Sequence, residues 1–280
     1  MKILRSIEDT RATVQAWHKK GETVALVPTM GYLHQGHLSL VKIAKENADH
    51  VLVSVFVNPT QFGPNEDFDK YPRDFEHDES LCNQAGVDGI FYPTKELMYA
   101  EDHSTWVQEE NLSKTLCGVT RPIHFRGVAT VCLKLFNITQ CQVAVFGRKD
   151  AQQALIIARM VRDLNVPIKI IKAPLIREED GLARSSRNKY LSKSEHQQAL
   201  ALSRAVFKAK KLFDAGERSS SVLLDAAHSE IDPSGGIIDY VEIMSQRALR
   251  PIATITEPAL LAVAVKYGKT RLIDNVFLEV

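Results

Sequence analysis

The chain has 280 residues and is 45% hydrophobic, enough to fill the core of one large α/β domain or two smaller ones. Its 35 lysines and arginines nearly cancel its 34 aspartates and glutamates, which excludes a bulk positive field for nucleic acid or an anionic membrane, so any anion site must be local. Cys82, Cys117, Cys132 and Cys141 show no metal or redox spacing and read as reduced core residues of a cytoplasmic protein.

The first 21 residues lack the continuous apolar centre and cleavage pattern of a signal peptide. No apolar run approaches the roughly twenty residues of a membrane span, and the expectation is a soluble protein. Thr23 to Thr29, "TVALVPT", reads as a first strand, and the following helix should turn Leu38, Val41 and Ala44 or the Lys45 stem toward a sheet. "HVLVSVFVN", His50 to Asn58, is β-branched and nearly uncharged, as a strand covered on both faces must be. A helix over about Asp74 to Ala85 leads to a short strand in "DGIFYP". After a helix in "GVATVCLKLFNITQ" come a strand in "CQVAVFG", a helix from Asp150 and a last strand in "VPIKIIKAP". Five strands with helical crossovers predict an α/β fold with a Rossmann-like parallel sheet.

The pattern changes near Ile176. A polar, turn-rich stretch runs through "ARSSRN", then helices are expected over Ser194 to Ala215 and Ser219 to Glu230. Three strand candidates follow, the last two joined by a hairpin at "KYGK". The reading is a catalytic domain over 1–176 and a smaller C-terminal α+β domain over 177–280.

The chemistry concentrates first in "VPTMGYLHQGHLSL", where His34, Gly36 and His37 follow a strand and open a helix. That is the carboxyl edge of the sheet, where open α/β folds bind ligands, and a helix N-terminus offers free N–H groups to an anion. Capping, core packing and zinc ligation are competing roles for the pair; His77 and Asp78 are the candidates to complete a zinc site, although nothing in the sequence positions them.

The His34-Gln35-Gly36-His37 run is similar to the HIGH motif of nucleotidyl transferases. Together with "SVFVNPTQFGPNEDFDKYPRD", "RPIHFRGVATV", "VFGRKDAQQ" and "DGLARSSRN", in that order over roughly residues 25–191, it resembles the pantothenate synthetase (pantoate–β-alanine ligase) family. That resemblance implies a two-step reaction. Pantoate carboxylate attacks the α phosphate of ATP and expels pyrophosphate; the amine of β-alanine then attacks the pantoyl adenylate and releases AMP.

By the same resemblance His34, His37, Lys149 and Arg187 carry the catalysis. ATP is expected to meet Met30, Gly31, Tyr32, Leu33, His34, Gln35, Gly36 and His37, then Gly147, Arg148, Lys149 and Asp150, then Ile176, Arg184, Ser185, Ser186 and Arg187. Gln61, Gln153 and Asn58 are expected to bind pantoate and β-alanine, since an amide both donates and accepts; Val131 should lie close. Arg148 and Arg184 stand where the family usually has glutamate and methionine. Mg2+ is expected with ATP, without an assigned protein ligand. The resemblance further implies a homodimer whose smaller domain closes over ATP, with no nucleic acid or membrane partner. A different HxGH transferase making a dinucleotide cofactor would not predict the Gln61 and Gln153 pattern.

Overall fold

The structure is a computed structural model that describes residues 1–64 and 66–280; Asn65, within one of the stretches that carry the resemblance, lies outside them. Among the described residues, strands β1 (Lys2–Leu4), β2 (Val24–Thr29), β3 (His50–Val55), β4 (Gly89–Phe91), β5 (Val143–Gly147) and β6 (Lys169–Ala173) form one sheet in the order β1-β4-β3-β2-β5-β6. Every pairing in it is parallel. The helices are α1 (Ile7–His18), α2 (Gln35–Lys45), α3 (Phe75–Gln84), the single turns α4 (Lys95–Met98) and α5 (Cys117–Thr120), α6 (His124–Thr139), α7 (Ala151–Asp163), α8 (Lys193–Asp214) and α9 (Ser220–Ile231).

The five strands read from the sequence are present, and β1 is a sixth. Only three residues long at the sheet edge, it carries too short a pattern to be legible beside the helix that follows it. Residues Val51 to Val55 of β3 are all buried, the consequence of helices on both faces. Alternate strand residues enter opposite layers, as the pleat requires. Leu26, Leu52, Ala144 and Phe146 pack with residues of α1, α6 and α7, while Val27, Val53, Val143 and Val145 pack with α2 and α3.

The buried stripe of α2 is Leu40, Val41 and Ala44, so Leu40 takes the place expected for Leu38. The helix begins at Gln35, and the register 37, 40, 41, 44 is one continuous face at helical spacing. His37 is thereby the N-terminal member of the sheet-facing stripe. Strand order reverses between β2 and β5, whose neighbours lead away in opposite directions. At such a switch point the loops after the two strands diverge and leave a crevice.

The chain divides into two compact units, the first comprising Met1–Ser113, Thr120–Arg148 and Gln152–Pro174. The second comprises Lys114–Val119, Lys149–Ala151 and Leu175–Val280. In the second unit β7 (Ile237–Ser245), β8 (Ala259–Tyr267) and β9 (Thr270–Leu278) form an antiparallel sheet, with β8 and β9 joined across Tyr267 and Thr270. Ala199, Leu202, Ala205 and Val206 of α8 and Leu223 and Ala227 of α9 share a core with Leu261, Val263 and Val265 of β8. No helix among the described residues is long and apolar enough to cross a membrane. None of the four cysteines forms a disulfide among the described residues, and burial pushes the Cys82 and Cys132 thiols up to about 12, which keeps them protonated.

Helix α6 approaches the turn Pro59–Gln61 so closely that a Cβ on Gly127 would lie 2.5 Å from Thr60 O and 2.7 Å from Gln61 Cα. Both are backbone atoms that cannot rotate away. Alanine in a helix gains about 1 kcal/mol over glycine, but overpacking costs about 1–3 kcal/mol, so the clash should win. Gly127→Ala is expected to lower the thermal unfolding midpoint; a midpoint at or above that of the unchanged protein would show that α6 can shift away.

Candidate active site

The loop between β2 and α2 is built by three interlocking devices. At its start Thr29 Oγ1 donates to Ser54 O at 2.7 Å and accepts from Gly31 N at 3.1 Å, which turns the chain off the strand. At its end His34 is the N-cap of α2: its Nδ1 accepts from Gly36 N at 3.1 Å, and His37 Nδ1 accepts from His34 N at 3.3 Å. A Cβ on residue 36 would stand 2.8 Å from His34 Cε1, so glycine is needed for the ring to lie across the helix start. Capping, one of the roles open in the sequence, is therefore realised by imidazoles instead of the usual hydroxyl or carboxylate.

This geometry fixes the chemistry of both rings. An Nδ1 that accepts carries a lone pair, so the ring proton resides on Nε2. Each imidazole thus directs a donor from the face opposite its cap. Their ring centroids are 4.1 Å apart, close enough to address neighbouring oxygens of one anion at a helix N-terminus.

The third device is Asp78. Its side chain, 1% exposed, accepts from Leu33 N at 2.6 Å and from Tyr32 N at 2.8 Å. Tyr32 has φ of 52°, a left-handed conformation unusual for a side-chain-bearing residue, and its N–H donation to Asp78 holds it there. Burial pushes the Asp78 carboxyl above its ordinary range, and the two backbone N–H groups pull it back. His77 Nε2 is 3.2 Å from Leu33 O. The structure thus brings His77 and Asp78 to the HxGH loop, where both contact its main chain.

Gln61 and Asn58 meet beside Met30. Asn58 Nδ2 donates to Gln61 Oε1 at 3.0 Å, and Gln61 Nε2 lies 3.1 Å from Met30 Sδ. The backbone beneath is held from α6: His124 Nδ1 is 2.9 Å from Gln61 O, and Arg121, paired with Glu66, donates to the same oxygen at 3.3 Å. Burial alone would raise the Glu66 carboxyl, but the Arg121 guanidinium outweighs it and holds it below the usual range. Val131 is buried on α6 and Gln153 half-buried on α7. Gly147 ends β5, and a Cβ there would touch Leu40 of α2 at 3.8 Å, which sets the end of β5 against the histidine-bearing helix. Arg148, half-buried, follows it in the chain.

In the second unit Asn275 Nδ2 donates to Lys149 O at 3.0 Å, while Asp150 is exposed. Ile176 O accepts from Arg184 N, and Glu178 N donates to Leu182 O, closing the stretch before "SSRN" into a tight hairpin-like turn. Arg177 anchors that turn: it bridges Asp274 through contacts of 2.6 and 2.9 Å and donates to Gly181 O. Burial drives the Asp274 carboxyl upward against the pull of Arg177. Ser185 Oγ accepts from Arg187 N and caps the short turn Ser186–Tyr190. Asp274, Asn275 and Arg177 were invisible in the sequence, because nothing in a strand pattern announces which polar residue supports a loop distant in the chain. Among the described residues Glu178, Asp180 and His196 form an acid–imidazole group, with His196 paired to Asp180 at 2.6 Å and Glu178 accepting from Asn188 at 2.6 Å.

Comparison with known proteins follows the same line. The family model for pantoate–β-alanine ligase matches residues 2–277, and the chain belongs to that family. It is 54% identical to the pantothenate synthetase of Clostridium novyi (strain NT) over 97% of this chain and 96% of the relative. It is 53% identical to that of Moorella thermoacetica over 100% and 99% of the two chains. The crystal structure of pantothenate synthetase from Thermus thermophilus superposes with a TM-score of 0.95 at 42% identity, covering both chains fully. The ligase from Francisella tularensis, whose crystal structure holds an ATP compound and β-alanine, gives 0.81 at 32% identity, covering 100% of this chain and 98% of that one.

The Asp78 clamp makes a direct prediction. Asp78→Asn exchanges one acceptor oxygen for an NH2 group facing a backbone donor, a buried mismatch worth about 1–3 kcal/mol. Faster hydrogen exchange at the Tyr32 and Leu33 amides is expected, measured by NMR or mass spectrometry; unchanged protection would remove Asp78 from the role of clamp.

Proposed function

We propose that the chain condenses pantoate with β-alanine using ATP, and that the histidine pair capping α2 carries the reading. A carboxylate oxygen of pantoate attacks the α phosphorus as the bond to the bridging oxygen breaks and pyrophosphate departs. The β-alanine amine then attacks the acyl carbon of the pantoyl adenylate, AMP leaves, and the amine gives up a proton. Because an anion attacks a polyanion, the protein's task in the first step is to position the reactants and to neutralise charge building on the leaving group.

His34 and His37 suit this through their Nε2–H groups. Both rings are held rigidly by the cap, so little reorganisation accompanies charge development at the phosphate. Lys149 supplies a compact cation for phosphate, and Arg187, Ser185 and Ser186 a guanidinium and hydroxyls. Gly147, Arg148, Asp150, Ile176 and Arg184, with the Met30–Gln35 run and Gly36, complete the proposed nucleotide contacts. Gln61, Asn58 and Gln153 take pantoate and β-alanine, the apolar wall coming from Met30 and Val131. Mg2+ enters as part of the ATP substrate. We further propose a cytoplasmic homodimer.

Pantoate-dependent exchange of labelled pyrophosphate into ATP, without β-alanine, is the expected sign of the first step; AMP should accumulate only with both acids present. Release of ADP and phosphate would overturn the reading. His37→Ala and Lys149→Ala should each slow exchange at least about a hundredfold, the scale of losing one preorganised donor to developing charge, with the circular dichroism spectrum unchanged. Near-normal exchange in both would strip these residues of their roles.

A further inference from the structure

The amide of Gln61 has a fixed polarity, and the hydrogen bonds that fix it lead to a residue outside the motifs. Gly127 O can only accept, and Asn58 lies 3.2 Å from it through Nδ2, so the NH2 end of Asn58 must face that way. The second hydrogen of the same NH2 group goes to Gln61 at 3.0 Å, which makes Oε1 the inner atom of Gln61 and Nε2 the outer one. The oxygen of Asn58 is then held by two hydroxyls, Tyr99 at 2.9 Å and Thr60 at 3.0 Å. Asn58 is 1% exposed and Gln61 7%, so water cannot replace a lost partner.

Tyr99 keeps its hydroxyl directed at the Asn58 oxygen, with Thr60 Oγ1 3.2 Å away. Its ring is 8% exposed and is wedged by the edge of His103 at 4.9 Å, with Lys134 Nζ 5.5 Å from its centroid. Burial pushes the phenol up to about 12, so it keeps its proton throughout the range in which the protein works.

We infer that Tyr99 is a positioning residue for pantoate: through Asn58 it locks Gln61 with its NH2 group outward, so that Gln61 offers donors to the carboxylate or hydroxyl oxygens of the acid. The inward oxygen of Gln61 is spent on Asn58. The outward group faces Met30 sulfur, a weak acceptor that yields readily to a substrate oxygen. A carboxylate is acceptor-only, so a reversed amide would set oxygen against oxygen. This inference rests on the functional reading above.

Tyr99→Phe keeps the ring and its packing and removes only the hydroxyl. The KM for pantoate in the pyrophosphate exchange assay should rise about three- to tenfold, the worth of one buried hydrogen bond, with the KM for ATP changing less than twofold. The double variant Tyr99→Phe with Thr60→Val strips both donors from the Asn58 oxygen and should raise the pantoate KM further, beyond the product of the single effects. A merely structural role would move the melting midpoint and the active fraction and leave both KM values alone. Unchanged pantoate KM in the folded variants would overturn the inference. An unchanged protein lacking pantoate-dependent exchange would instead overturn the functional reading. Should Tyr99→Phe yield no folded protein, Thr60→Val, acting on the same oxygen, is judged by the same pantoate KM.

Discussion

The site depends first on one buried carboxylate. Asp78 sits on α3, far from the HxGH run in sequence, yet its two oxygens take the main-chain N–H groups of Tyr32 and Leu33. Placing a charge there costs several kcal/mol of desolvation, which only well-aligned donors offset. What the carboxylate stabilises is a loop that would otherwise relax, since Tyr32 is held left-handed two residues before the capping His34. The loop it holds leads into the cap, whose own hydrogen bonds orient the two imidazoles. A polar contact across 45 residues of chain thus supports the approach to side chains that the sequence places side by side.

The histidines illustrate how a local motif can serve two purposes with one ring. The Nδ1 atoms complete the helix terminus, and in the proposed reaction the Nε2–H groups on the other edge of each ring are the donors. A second proton at Nδ1 would place donor against donor at the cap.

How much of this could be read in advance follows from the range of the interactions. The parallel sheet was legible because β2, β3 and β5 are unbroken apolar runs, and the hairpin of β8 and β9 because Gly268 punctuates two strand patterns. The residues of the HxGH loop were legible as a local cluster with a family likeness. What escaped were partners brought together only by the fold: Asp78 for the loop, Tyr99 for Asn58, Arg177 for Asp274. Each is a polar group satisfying a buried one, and a linear pattern of apolar residues holds no record of such pairs. The stripe of α2 was displaced by a different cause. Its register is set by the cap at His34, and a helix begun one or two positions earlier or later presents other leucines.

The hairpin of β8 and β9 also sets a tolerance for change. Asp274 and Asn275 are neighbours in β9 with opposite duties, one binding Arg177 and the other the carbonyl of Lys149. Successive residues of a strand point to opposite faces, so a slip of one position would move one of the two into the other's place and put an apolar neighbour, Ile273 or Val276, into its own. Register is enforced by nine paired positions from Ala259↔Leu278 to Tyr267↔Thr270 and by the tight turn between. Length variation in the turn can be looped out into solvent at small cost. A single residue lost or gained within β9 cannot, because it would either set the Asp274 carboxylate against the carbonyl of Lys149 or leave Arg177 facing the Asn275 amide in place of its charged partner.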